Sequence, residues 1–371
     1  MIIGIDASRA FIDKRTGTEE YSYQIIKHIL KLPESTKHKF VLYVKSNSHF
    51  GDFLRQIELN NVIIKTINLP YLWTQLGLAM STWVDRLDVL WIPAHTLPVL
   101  RRFGLNTVVT IHGIEYEWLP AYENPIQKVY LPLSTQYAVR SANKIIAVSQ
   151  FTKDQLTQRL HADPNKISVV HEGIDPEISP ATNTIAKKVL KKYDLQRKKY
   201  LLFIGTIQPR KNLINLMTVF ASLDSGELKL VIVGKLGWLY DEILQTPKRL
   251  GLEKQIAILG YTSNAERNIL LQNAVVYVQP SITEGFGLPV LEAMAAGVPV
   301  VSSSGGALAE IVADAGLTFV PYNEEEMAEK INKVINGIKL QKRLVALGKK
   351  RVLAFSWQKA AKQTLDILED L

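Results

Sequence analysis

Short runs of apolar, mostly branched residues return at helix-length intervals through the first half of the chain: Ile2 to Ile5, Val41 to Val44, Val62 to Ile64, Val89 to Ile92, Val108 to Ile111, Ile145 to Val148 and Ile167 to Val170. A strand that is apolar at every position is buried on both faces. Its sheet then carries helices on either side, and its strands run parallel. These runs predict a doubly wound α/β unit. The rhythm resumes at Leu201 to Gly205, Leu228 to Gly234, Ile256 to Gly260 and Val275 to Val278, which predicts a second unit of the same class. A length of 371 residues suits two domains of ordinary size better than one core.

The densest local pattern is VVYVQPSITEGFGLPVLEAMAAGVPVV, from Val275 to Val301. A buried strand, a polar loop from Ser281 to Leu288, a helix and a second strand follow in close succession. Pro289 suits the first helical turn, Gly297 the helix stop, and Pro299 blocks continuation. In open α/β sheets the loops at the carboxyl ends of the strands face the ligand. The loop carries Glu284 and then Gly285, Phe286, Gly287 and Leu288 at a helix mouth, where backbone N–H groups can donate to an anion. Glu292 is expected in the first helical turn. With a diphosphate on the amides, the two carboxylates would take hydroxyl groups on either side of it, since carboxylates repel phosphate. A glycine-rich turn with two ordinary helix-start acids is the plainer alternative.

The run from Glu284 to Glu292, continued by Ala293 to Val300, resembles the E-x7-E signature of the retaining, nucleotide-sugar-dependent glycosyltransferases of family four, group 1 type. That family has the GT-B architecture, with two Rossmann-like doubly wound parallel-sheet domains facing a central cleft. The resemblance implies an acceptor-binding domain over 1–180, a linker over 181–199, a donor-binding domain over 200–354 and a terminal helix at 355–371 crossing back to the first domain. Residues Pro176 to Lys199 are polar, basic and aperiodic apart from one helix-length stretch.

Other segments carry the resemblance further. Arg210 and Lys211 stand just before a predicted helix at Leu213, where cations oppose the helix dipole. A bound diphosphate would explain them, lysine as a point charge and arginine as a bidentate fork; a solvated basic turn is the alternative. Family members place such a pair on the leaving pyrophosphate, often with an arginine directly after the glycine that here is Gly205, where this chain has Thr206. The resemblance also puts Gly234 and Lys235 beside the donor, Tyr261 and Thr262 at its base, and Gly17 in a loop over the diphosphate; a flexible surface loop is the other reading of Gly17. His112, in Thr110-Ile111-His112-Gly113, ends a strand at the ligand-facing edge, and in similar enzymes a histidine there approaches the transferred sugar. Gly113 stands where an aspartate is common. His95 ends the preceding strand and ranks below His112 as an acceptor contact. His171-Glu172-Gly173-Ile174-Asp175 is similar to the N-G-V-D turn between domains, with Glu172 replacing the asparagine.

The chain has no cysteine, which excludes disulfides, thiolate metal sites and a cysteine nucleophile. The N-terminus reads as a first strand without a basic n-region, and no apolar run reaches spanning length, so a cytoplasmic protein is expected, free or peripheral at the inner membrane face. The net charge of +9 is concentrated between Lys187 and Lys199 and between Lys339 and Arg351. Neither cluster is interleaved with stacking aromatics, so no nucleic-acid partner is expected. They read as solvated helix faces, or as weak attachment to an anionic membrane carrying a lipid-linked acceptor. No D-x-D pair occurs, Asp85 and Asp88 being spaced wrongly, so no metal requirement is expected.

The resemblance therefore implies transfer, with retention, of a sugar from a nucleotide diphosphate sugar to a hydroxyl of a glycan or lipid-linked acceptor, with no cofactor beyond the donor. The combination G-T-I-x-P-R-K-N, G-K-x-G-W and E-G-F-G-L-P is frequent in mannosyl- and related transferases that build surface polysaccharide, which favours GDP-mannose over a UDP-sugar. A nucleotide-sugar 2-epimerase of the same architecture would turn over donor without acceptor. A glucan phosphorylase would need a pyridoxal-bearing lysine, for which no local motif occurs. A non-catalytic sugar-nucleotide binder would neither transfer nor hydrolyse.

Overall fold

The computed structural model describes residues 1–13, 15, 17–46, 48–54, 60–117, 125–175, 182–223 and 226–371. The first unit comprises Met1–Glu117, Asn124–Gly173 and Phe355–Leu371, and the second runs over Ile174–Ala354.

In the first unit, strands β1 (Ile2–Asp6), β2 (Lys39–Lys45), β3 (Val62–Ile67), β4 (Val89–Ile92), β5 (Asn106–Ile111), β6 (Lys144–Ala147) and β7 (Ile167–Val169) form one sheet in the order β3-β2-β1-β4-β5-β6-β7. Every pairing is parallel, with Ile5 opposite Leu42 on one side and Trp91 on the other. The apolar runs are the strands because both sheet faces are covered: Ile3, Ile5, Val89, Trp91, Val108 and Ile145 are fully buried.

The terminal helix Trp357–Glu369 belongs to this unit. Ser356 caps it, accepting from the Lys359 amide, and Trp357, Ala360, Ala361, Thr364, Leu365 and Leu368 form one buried helical face. That face packs on the helix Gly17–Leu30. The last residues are pinned by the His38–Glu369 contact at 2.7 Å and by Asn106 Nδ2 donating to the Leu371 carbonyl at 2.8 Å.

The second unit has strands β8 (Tyr200–Ile204), β9 (Lys229–Val233), β10 (Ile256–Ile258), β11 (Val276–Gln279), β12 (Val300–Ser303) and β13 (Leu317–Phe319), all parallel, in the order β10-β9-β8-β11-β12-β13. The order reverses between β8 and β11, and the loops leaving these two strands meet at that switch point.

The linker is expected over 181–199, within a segment that holds one helix-length stretch. Residue 181 lies outside the described residues, Asn183–Lys192 is a helix capped by Thr182, and Tyr200 already opens β8. The helix buries Val189 and Leu190, and Lys192 reaches Glu266 at 2.6 Å, so this segment is part of the second unit. The passage between units falls at Gly173–Ile174, ahead of the expected end of the first domain at residue 180. Lys187, Lys188, Lys191, Lys339, Lys342 and Lys349 are exposed on helix faces. Among the described residues, no helix is long and apolar enough to cross a membrane.

Candidate functional site

After β8 the chain makes a tight turn over Pro209–Lys211, and Asn212 in the left-handed region (φ +56) starts the helix Leu213–Ser222. After β11 the loop carries Ser281, Thr283 and Glu284. A backbone hydrogen bond from the Ile282 amide to the Arg210 carbonyl, 2.9 Å, ties the two loops together. Arg210 and Lys211 are thereby set against Glu284.

The Glu284 carboxylate is almost fully buried and surrounded by donors. Arg210 reaches Oε2 at 2.8 Å, while Lys211 Nζ, Ser281 Oγ (2.6 Å) and Gln279 Nε2 (3.0 Å) all donate to Oε1. Arg210 also donates to the Thr283 carbonyl at 2.7 Å. Behind this cluster the Tyr277 hydroxyl donates to Gln279, which orients the amide toward the carboxylate. Burial opposes ionisation of Glu284, but the charges of Arg210 and Lys211 outweigh it and hold the carboxyl at about 2. The group is ionised at neutral pH and, with its two cations, leaves one net positive charge.

The helix Leu288–Ala295 begins directly beyond this cluster. Gly287 is its N-cap at φ +117, no side chain caps it, and Pro289 lies in its first turn. A β-carbon at position 287 would adopt an unfavourable backbone conformation and come within 2.8 Å of Leu308. Glu292, expected in the first turn, sits in the second because the helix starts only at Leu288. Its carboxylate pairs with Arg267 at 2.9 Å.

The remaining sequence candidates of this unit line the carboxyl edge of the same sheet. The Gly205 amide donates to Val233, the Gly234 amide to Gly260 and the Ile207 amide to Lys235, each at 2.8–2.9 Å, so the ends of β8, β9 and β10 are stitched together. The approach is so close that a β-carbon on Gly234 would lie 1.8 Å from the Gly205 carbonyl oxygen. Tyr261 is exposed next to the buried Thr262. Gln208 Oε1, Asn212 Nδ2, Thr262 Oγ1 and Thr283 Oγ1 are buried there without a hydrogen-bonding partner among the described residues. Buried polar atoms of this kind are costly unless something polar meets them. Gln208, Gln279, Ser281 and Thr283 are not singled out by the sequence, although polar residues at the ends of buried strands are its one available signal.

Two candidates lie in the first unit. His112 directly follows β5; its Nε2 donates to the Pro93 carbonyl at 2.9 Å, and its Nδ1 faces the buried Glu172 carboxylate at 3.1 Å. The Tyr21 ring meets the imidazole edge-on at 4.6 Å. The ring is therefore oriented by protein groups on both nitrogens. Beside it His95 is driven down to about 3, by burial first and then by the neighbouring His112 and Arg9, and is neutral. Gly17 opens the helix Gly17–Leu30 with open space where a β-carbon would stand; its neighbour Thr16 lies outside the described residues.

Comparison with known proteins identifies the family. The family model described as "Glycosyl transferases group 1" matches residues 186–351, and "Glycosyltransferase Family 4" matches residues 17–178. The O-antigen chain mannosyltransferase B of Escherichia coli is 31% identical over 70% of this chain and 69% of that protein. The O-antigen chain mannosyltransferase RfbU of Salmonella typhimurium is 27% identical over 65% of this chain and 63% of its own length. Among solved structures, a sucrose-phosphate synthase of Thermosynechococcus elongatus aligns over 100% of this chain and 98% of its own, with a TM-score of 0.80 at 17% identity. HepE of Anabaena, solved with UDP and glucose, aligns over 100% and 99% with a TM-score of 0.76 at 19% identity. These structures share the GT-B fold of two Rossmann-like parallel-sheet units. With both halves matched by family models and the paired cations set against the first glutamate of the E-x7-E run, the chain belongs to the family 4, group 1 glycosyltransferases.

Proposed function

We propose that the enzyme transfers mannose from GDP-mannose to a hydroxyl of a glycan or lipid-linked acceptor during surface polysaccharide synthesis, with retention of anomeric configuration. The observation that carries the donor assignment is the Arg210–Lys211–Glu284 cluster at the sheet switch point beside an uncapped helix N-terminus. The mannosyl choice is supported by the two O-antigen mannosyltransferase relatives.

The difficult step is departure of a nucleotide diphosphate as positive charge develops on the sugar. Arg210, Lys211 and the amides opening the helix Leu288–Ala295 stabilise the departing negative charge, and loss of one such contact commonly costs about 2–4 kcal/mol of transition-state stabilisation. Glu284 holds the two cations in register and presents its carboxylate to sugar hydroxyls once the donor shifts them. Glu292 takes the ribose, and the polar atoms of Gln208, Thr262 and Thr283 meet polar groups of the donor. For retention, the acceptor oxygen bonds to the anomeric carbon on the face from which the phosphate oxygen leaves, and that oxygen receives the acceptor proton. The first unit takes the acceptor, and within it His112 is fixed by Pro93 and Glu172. The cations supply the charge that a metal supplies elsewhere, so turnover proceeds without one.

The test is binding and slow hydrolysis of a panel of GDP- and UDP-sugars in EDTA by wild type, Glu284→Ala and Lys211→Ala. The expected result is selective use of GDP-mannose, lost in both variants. Use of a UDP-sugar instead overturns the donor choice, and variants matching wild type overturn the site.

A further inference from the structure

Strand β11 carries a polar face inside an otherwise apolar sheet. Tyr277, Gln279 and, just beyond the strand, Ser281 alternate with Val278 and Pro280, and all three are buried. A buried polar side chain destabilises the fold unless it is hydrogen-bonded. These three are bonded to one another in a line that ends on Glu284. The Tyr277 hydroxyl donates to Gln279 Oε1. Gln279 Nε2 donates to Ser281 Oγ at 2.7 Å and to Glu284 Oε1 at 3.0 Å, and Ser281 Oγ donates to the same Oε1 at 2.6 Å. Ser303 Oγ donates to the Ser281 carbonyl and fixes the end of the line. Burial first, and then the charges of Glu292 and Glu284, push the Tyr277 phenol well above its ordinary value, so it remains a donor. A donor there sets the Gln279 amide with its NH2 toward the carboxylate; flipped, its carbonyl would face Glu284 and repel it.

Glu284 therefore has two sets of partners. Arg210 meets Oε2 and Lys211 meets Oε1 as cations, while Gln279 and Ser281 meet Oε1 as neutral donors. The two sets differ in access. The side chains of Arg210 and Lys211 retain 20% and 11% exposure, whereas Gln279 and Ser281 are closed off from solvent. An incoming diphosphate can reach the cations and, with more negative charge than one carboxylate, compete for them. It cannot reach the neutral pair.

We infer that Tyr277, Gln279 and Ser281 are positioning residues that keep Glu284 ionised and in place after a bound diphosphate has drawn Arg210 and Lys211 away from it. This role, which rests on the function proposed above, carries Glu284 through the donor-bound state. A buried carboxylate stripped of its counterions and of other donors would take up a proton and lose its capacity to accept from a sugar hydroxyl. With the neutral pair in place, Oε1 stays held, and Oε2, vacated by Arg210, turns to the sugar. The titratable and charged groups that bear on this carboxylate are Arg210 and Lys211 from the turn after β8 and the Tyr277 phenol on β11; Glu292, on the helix Leu288–Ala295, is paired with Arg267.

Binding of GDP and of UDP is measured by calorimetry in mildly acidic solution, in two buffers of different ionisation enthalpy, which counts the protons taken up. Wild type is compared with Tyr277→Phe, Gln279→Met and Ser281→Ala; protonation of the diphosphate itself is common to every variant and cancels. The variants are expected to take up additional protons on binding that wild type does not, with little change in Kd. Slow hydrolysis of GDP-mannose or UDP-glucose, whichever wild type uses, should fall roughly 10- to 100-fold in kcat at unchanged KM, the worth of a hydrogen bond to a charged group. Ser281→Ala, the smallest change, serves where Tyr277→Phe does not fold. Variants that take up no more protons than wild type overturn the inference, whatever their melting temperature, and so does extra uptake without loss of hydrolysis. A wild type that binds neither nucleotide overturns the proposed function together with it, so the two failures are told apart.

Discussion

The Ile282 amide donates to the Arg210 carbonyl at 2.9 Å, so the loops that follow β8 and β11 are joined through backbone before any side chain is considered. Side-chain substitutions in the cluster should therefore alter its charge without scattering its loops.

Glu284→Ala leaves Arg210 and Lys211 side by side without their shared counterion. Breaking a buried pair of this kind costs about 3–5 kcal/mol. Thermal or urea unfolding should show the loss, and donor turnover should fall with it. Lys211→Ala removes one cation and leaves Glu284 paired with Arg210 at 2.8 Å; kcat should drop roughly 100- to 1,000-fold with a smaller change in stability.

The depressed carboxyl of Glu284 makes stability depend on acid. Its pKa is about 2 in the folded protein against 4.5 for an ordinary glutamate, so the unfolded chain takes up this proton first as pH falls. The stabilisation is complete above the ordinary value and is lost between 4.5 and about 2. It amounts to about 3 kcal/mol. Urea unfolding across that window should show a shallower decline for Glu284→Gln than for wild type.

Two glycine substitutions should behave oppositely. Gly234→Ala places a β-carbon 1.8 Å from the Gly205 carbonyl oxygen, so the strand ends must separate, with weaker donor binding and a stability loss of about 2 kcal/mol or more. Gly17→Ala meets nothing within 4 Å and should be neutral or stabilising by about 0.4–1 kcal/mol. A change in donor KM for Gly17→Ala without a change in melting temperature would place the loop over the donor.

Glu172→Ala frees one nitrogen of His112, whose other nitrogen stays on the Pro93 carbonyl. If His112 acts only when its ring is held by both, Glu172→Ala, His112→Ala and the double variant should lose similar amounts of kcat. Additive losses would separate the two residues.

Strands such as β1, β4, β8 and β11 were legible because burial on both faces leaves unbroken apolar runs. Strand β13 (Leu317–Phe319), a three-residue edge strand like β7 and β10, is not among the runs the sequence singles out. The helix Asn183–Lys192 was legible as one helix-length stretch in the expected linker; its packing through Val189 and Leu190 was not, because its lysines dominate the pattern. In the site, the residue types at 210, 211 and 284 carry their chemistry openly. Their mutual pairing does not, because it depends on strand order rather than on spacing. The same holds for Glu172 and His112, which are 60 positions apart and meet only once β5 and the chain beyond β7 are laid in the sheet.

The return of Trp357–Glu369 to the first unit has a consequence for how the protein is made. On the ribosome the second unit, continuous from Ile174 to Ala354, has all of its residues before the first unit has its last helix. Until that helix emerges, the face of Gly17–Leu30 that receives it stays bare, a landing site for chaperones or for the wrong partner. The earlier-synthesised unit is the later one to be completed, and a chain cut short before that helix would carry a finished second unit attached to an unfinished first one.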